Sequence, residues 1–135
     1  MELILIRHGL PVRSAETSDP PLSENGHDQA RRVAAVLARE RIDGVYSSTM
    51  RRAVQTAEPF AAAAGHGIET HEGIVEFDRD SGQYTPMEEL KRDNYAAWQA
   101  FGAGESGADI AAFQAKVVDT LEGIIAANSG RTVAV

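Results

Sequence analysis

Apolar and polar positions along the chain follow two periods in turn. Met1-Glu2-Leu3-Ile4-Leu5-Ile6 is a short, nearly continuous apolar run, which predicts a strand buried on both faces. Between Ser23 and Arg41, Ala30, Val33, Ala34 and Leu37 recur at helical spacing as a core-facing stripe, and Arg31, Arg32, Arg39 and Arg41 fall outside it or near its C-terminal end. Ser23 suits the N-cap, with Glu24 and Asp28 near the positive end of the helix. Ile42 to Tyr46 reads as a second strand ending at Ser47-Ser48. A second helix is expected over Met50 to Ala64, kinked at Pro59 and closed by Gly65.

Gly67 to Thr70 reads as a third strand, and the acidic, Gly-interrupted stretch from His71 to Thr85 as an irregular loop. A helix is predicted from Pro86 to about Phe101, followed by a flexible break at Gly102 to Gly107. Ile110, Phe113, Val117, Leu121, Ile124 and Ile125 recur at three and four, with Asn128-Ser129-Gly130 as the stop and a β-branched strand at Arg131 to Val135. Strands alternating with helices predict an α/β three-layer sandwich, a largely parallel central sheet flanked by helices on both faces.

Composition narrows the function. With 135 residues the chain is a single domain, and no apolar run approaches the ~20 residues that span a bilayer, so no membrane role is expected. A net charge of −7 argues against nucleic acid as a partner and requires any anionic ligand to be drawn by a local cluster of arginines. Cysteine is absent, which rules out disulfides and thiolate metal sites and fits a cytoplasmic protein. His66 and His71, with Glu69 and Glu72, look superficially like metal ligands, but their spacing on a strand and loop sets them on opposite faces, so no metal and no cofactor is expected.

The chemistry concentrates at Arg7-His8-Gly9, directly after the first strand. Carboxyl ends of strands are where open α/β sheets bind ligands. An imidazole beside a guanidinium there, with a glycine allowing close backbone approach, suits a phosphoryl-transfer nucleophile and its anion clamp. Two further segments accompany it: Leu22-Ser23-Glu24-Asn25-Gly26-His27-Asp28-Gln29-Ala30, and Tyr46-Ser47-Ser48-Thr49-Met50-Arg51-Arg52-Ala53-Val54-Gln55-Thr56-Ala57. In this order and spacing the three resemble the histidine phosphatase superfamily, the phosphoglycerate mutase-like fold, closely over residues 1 to about 80 and loosely beyond.

The resemblance implies a phosphatase that hydrolyses phosphate monoesters through a phosphohistidine on His8, with Arg7 and Arg52 holding the phosphoryl oxygens. The leaving alkoxide needs a proton from a carboxylic acid of raised pKa. Glu76 matches the family's acid position, with Asp78 and Asp80 as alternatives in an irregular loop. Arg13 and Ser14 are candidate substrate contacts in the loop past the nucleophile, and Trp98 and Phe101 are expected to pack in the core or a lid. The expected partner is a small phosphorylated metabolite or phosphate itself, with a homo-oligomer possible.

The family's second catalytic histidine follows a strand and precedes a glycine. Thr132 to Val135 resembles that strand and the sequence stops where the histidine is expected, so residues 1–135 read as one histidine phosphatase-like domain lacking the family's C-terminal part. Alternatives to a phosphatase are a phosphate-binding pseudo-enzyme, an inactive fragment, or a mutase-type phosphotransferase. Hydrolysis is favoured over transfer because a mutase shelters its phosphohistidine with extra lid structure.

Overall fold

The computed structural model describes residues 1–77, 79–80, 82–103 and 109–135. Strands β1 (Glu2–Ile4), β2 (Gly44–Ser48), β3 (Ile68–His71) and β4 (Thr132–Ala134) form one all-parallel sheet in the order β1-β4-β2-β3. The helices are α1 (Glu24–Leu37), α2 (Arg51–Ala64), α3 (Met87–Asp93), α4 (Tyr95–Gly102) and α5 (Ile110–Ala127). The β1-α1-β2 and β2-α2-β3 connections step the same way across the sheet, whereas α5 leads back from β3 to β4. Right-handed crossovers therefore put α1 and α2 on one face and α5 on the other, the expected three layers.

The core lies between the sheet and the α1/α2 layer, where Leu37, Ile42, Val45, Phe60, Ala61 and Ala134 pack together with Val33 and Ala57 against them. Ser23 caps α1 as expected, its Oγ accepting from Gly26 N at 3.1 Å. Helix α2 runs unbroken through Pro59 and ends at Gly65, whose φ of 72° is the left-handed conformation glycine adopts without strain.

Three expectations need correction. The opening run is not buried on both faces: β1 covers only Glu2–Ile4, sits at the sheet edge with β4 as its neighbour, and leaves Leu5 66% exposed. Pairing nevertheless continues past the strand, Ile6 N donating to Val135 O at 2.8 Å, which carries the chain in register to Arg7. The helix expected over Pro86 to Phe101 is two helices, because Asn94 (φ −146°, ψ 73°) leaves the helical region and caps α4 through its side chain, accepting from Ala97 N. Within α5, Ile124 is buried but Ile125 is exposed, since adjacent helical positions point about 100° apart. Most of the expected break at Gly102 to Gly107 lies outside the described residues.

Candidate active site

Three backbone devices fix the loop that carries His8. Gly9 and Gly26 approach so closely that a Cβ on Gly9 would stand 2.6 Å from Gly26 O, and one on Gly26 would stand 2.1 Å from Leu10 O. No other residue fits either position without moving backbone. Gly9 N donates to Thr56 Oγ1 at 2.9 Å, and that hydroxyl donates to Arg52 O at 2.7 Å, so one side chain joins the nucleophile loop to α2. Leu10 N donates to Gln29 Oε1 at 2.7 Å, and Leu22 N to Gln55 Oε1 at 2.8 Å. The tightly spaced turn is thus held from both helices of one layer.

His8, 9% exposed, has its ring orientation set by Nδ1, which lies 2.7 Å from Gly9 O. A carbonyl oxygen only accepts, so Nδ1 carries a proton and Nε2 is the nitrogen presented to the site. Glu76 Oε1 is 2.5 Å from Nε2, and Arg52 Nε is 3.3 Å from it. Two competing partners meet at one nitrogen. Nε2 can donate to the carboxylate or accept from the guanidinium, but not both at once.

Arg52 is the hub of the site and is fully buried. Its Nη2 donates to Glu76 Oε2 at 2.7 Å, its Nη1 donates to Ser18 O at 2.9 Å, and Asp19 Oδ1 stands 3.6 Å from Nη1. The Tyr84 ring covers the guanidinium at 4.7 Å, a contact that favours a cation whose hydration has been removed. Asp19 also accepts from Arg51 N at 2.8 Å, supplying the cap that Met50 at the start of α2 does not.

The Glu76 carboxyl reverses the expectation of a raised pKa. Burial pushes it up, but hydrogen bonds from His8 and Arg52 and the Arg52 charge outweigh burial and bring it down to about 2. Glu76 is therefore an anion, held by His8 and Arg52.

The other arginines are also matched by carboxylates. Arg7 lines the same cavities as His8 and Glu76, yet its side chain is 71% exposed and Nη1 donates to Glu88 Oε1 at 3.1 Å. That hydrogen bond and the Glu88 charge raise the Arg7 pKa. Arg13 pairs with Glu89 at 2.6 Å. Asp19, Glu76, Glu88 and Glu89 together outnumber Arg7, Arg13 and Arg52, so each of these arginines already has a carboxylate partner. Ser14 does not point into the site: its Oγ accepts from Glu16 N and Thr17 N within its own turn, and its backbone carbonyl accepts from Tyr84 N at 3.2 Å. Asp78 lies outside the described residues. The histidines set aside as ligands have other partners, His66 at Ile42 O and His71 at Glu69, and the described residues hold no cluster of metal-ligating side chains.

Sequence reasoning assigned no roles to Thr56, Gln29, Gln55, Asp19 or Tyr84. The first three stand inside the motif segments, where polar Gln and Thr in the first two turns of a helix were the available signal. Asp19 and Tyr84 come from irregular loops and carried none.

The family model of the histidine phosphatase superfamily (branch 1) matches residues 3–135. Phosphoserine phosphatase 1 of Hydrogenobacter thermophilus is 32% identical over 124 residues, covering 82% of this chain and 59% of that protein. Phosphoglycerate mutase-like protein 4 of Arabidopsis thaliana is 32% identical over 116 residues, covering 81% of this chain and 50% of that one. The crystal structure of phosphoserine phosphatase from Entamoeba histolytica in complex with 3-phosphoglyceric acid superposes with a TM-score of 0.70 at 28% identity, over 98% of this chain and 71% of that chain. The chain thus spans between half and three-fifths of the length of these two curated relatives.

Proposed function

The chain belongs to the histidine phosphatase superfamily, and from that membership and the geometry around His8 we propose that the protein hydrolyses phosphate monoesters of small metabolites. The observation that carries this reading is the meeting of His8 Nε2, the buried Arg52 fork and the Glu76 carboxylate within hydrogen-bond reach of one another.

Nε2 attacks phosphorus, the bond from phosphorus to the ester oxygen breaks, and that oxygen takes up one proton. An incoming phosphoryl group takes the place of the carboxylate at His8 and Arg52. Glu76 then loses the partners that hold its pKa down and gains an anion beside it, so burial dominates and it becomes the acid. Glu76, protonated from solvent as the substrate binds, hands its proton to the leaving alcohol, while the Nε2 lone pair forms the phosphohistidine. In the second half water attacks phosphorus, the phosphorus–nitrogen bond breaks with its electron pair returning to Nε2, and Glu76 accepts the water's proton.

Arg52 stays with the equatorial oxygens throughout, and Arg7 joins it by exchanging Glu88 for phosphate. His8 supplies the nucleophile and the arginines the positive charge, so no step calls on a metal. The test is turnover of a phosphate monoester by the full-length protein and its His8→Ala variant. Turnover lost in the variant is expected. Turnover unchanged in it refutes the assignment of His8.

A further inference from the structure

A cavity of about 210 Å³ adjoins Arg7 and Glu76 and is walled by Phe77, Tyr84, Met87 and Phe101. Resting on the phosphatase reading, we propose that this cavity is the leaving-group subsite and takes an aromatic ring, so that the preferred substrates are phosphate monoesters of aromatic alcohols rather than of carboxylated ones.

Position singles it out. In-line displacement sends the leaving group away from the attacking nitrogen. The two larger cavities beside the site, of about 400 and about 480 Å³, are both lined by His8 itself and so lie on the nucleophile's side. The smaller one includes Glu76 and Arg7 but not His8, which puts it beyond the place a phosphoryl group would occupy. Glu76 lines it, as it also lines the cavity of about 400 Å³, so a proton donor to the ester oxygen is at hand.

Size and wall chemistry agree. An apolar cavity of roughly 150 Å³ admits benzene, so a single ring fits here. Phe77 is held edge-on against Phe101 at 5.1 Å and against Phe113 at 5.3 Å, which joins the loop after Glu76 to α4 and α5 and keeps the wall in place. The Tyr84 ring, 4.7 Å from the Arg52 guanidinium, forms the wall nearest that arginine.

Charge argues against acidic leaving groups. Arg7 is the one cation among the lining residues, and its fork is committed to Glu88 or, in the reaction, to phosphate. A carboxylate on the leaving group would find no cation of its own and would face Glu76. Chemistry adds to this: a phenol, with a pKa near 10, leaves with less help from an acid than an alkyl alcohol does.

Binding of non-hydrolysable phosphonates to the full-length protein tests the subsite without requiring turnover. Calorimetric titration is expected to show benzylphosphonate binding about tenfold or more tightly than 3-phosphonopropionate. Phe101→Ala should weaken benzylphosphonate alone. Met87→Lys, which adds a cation at a half-buried wall position, should narrow the ratio by about tenfold. Equal affinity, preference for the carboxylated ligand, failure of benzylphosphonate to bind, or a ratio unmoved in both variants overturns the subsite. Selective binding without hydrolysis of phenyl phosphate refutes the phosphatase reading and leaves the subsite standing.

Discussion

Replacing Arg52 with Met isolates what the buried guanidinium does, because the methionine side chain keeps much of the volume and none of the charge. Ser18 O loses its donor, Asp19 and Glu76 lose their cation, and Tyr84 loses the group beneath its ring. Removing one partner of a buried ion pair costs about 3–5 kcal/mol when the remaining charge is cut off from water. Here Glu76 is 41% and Asp19 32% exposed, so both rehydrate in part and the cost falls to about 2 kcal/mol. For a domain of this size that is a fall in Tm of roughly 6–10 °C.

The pH dependence separates charge from packing. In the unmutated protein the depressed Glu76 carboxyl contributes stability that is full above its ordinary value of 4.5 and is lost as pH falls through about 2. In Arg52→Met both Arg52 contributions are gone and only His8 opposes burial, so the carboxyl rises from where Arg52 held it, costlier when ionised at pH 7 and less so as it protonates toward pH 4. Thermal unfolding followed by circular dichroism should therefore show a larger Tm deficit at pH 7 than at pH 4. An equal deficit at both would mean that lost packing, not the unpaired carboxylates, accounts for the damage. No deficit at either would refute the view of Arg52 as the hub.

Three further substitutions probe other parts of the site. Glu76→Gln removes the group whose pKa is depressed, so the loss of stability between pH 4.5 and about 2 should flatten in acid unfolding measurements, and an unchanged slope would show that other carboxylates govern it. Gly26→Ala gains about 1 kcal/mol of helix propensity but sets a methyl 2.1 Å from Leu10 O. Overpacking of about 2–3 kcal/mol should win, lowering Tm and kcat together, and a raised Tm would contradict the close approach. Glu88→Gln breaks an exposed pair worth less than about 1 kcal/mol and frees Arg7, so Tm should hold while phosphate binds about two- to threefold more tightly by calorimetry. Weaker binding would mean that Arg7 does not serve the phosphate.

The parallel sheet and its layering were legible because the periods of the chain switch cleanly and crossovers have one hand. The apolar opening run misled on burial: hydrophobicity says that Leu5 can be buried, but the neighbours of β1 decide whether it is, and β1 lies at an edge. Asn94 broke an expected helix although its residue type is a recognised cap, because the flanking residues keep good helical spacing on both sides. At the site, His8, Arg52 and Glu76 come together from three separate stretches whose spacing in the chain does not disclose their contact. The protonation of Glu76 was not legible, since burial alone gives the wrong sign and the opposing hydrogen bonds exist only in the folded arrangement. Ser14 likewise has a role only the fold shows, pairing its backbone with Tyr84.

The central claim is that His8 Nε2 becomes covalently phosphorylated, and the most direct measurement is a rapid alkaline quench of the full-length protein during turnover, followed by mass-spectrometric mapping of the phosphoryl group. The account predicts one phosphoryl group on the peptide carrying His8, absent from His8→Ala. Turnover with no label on His8, or label on another residue, would contradict it.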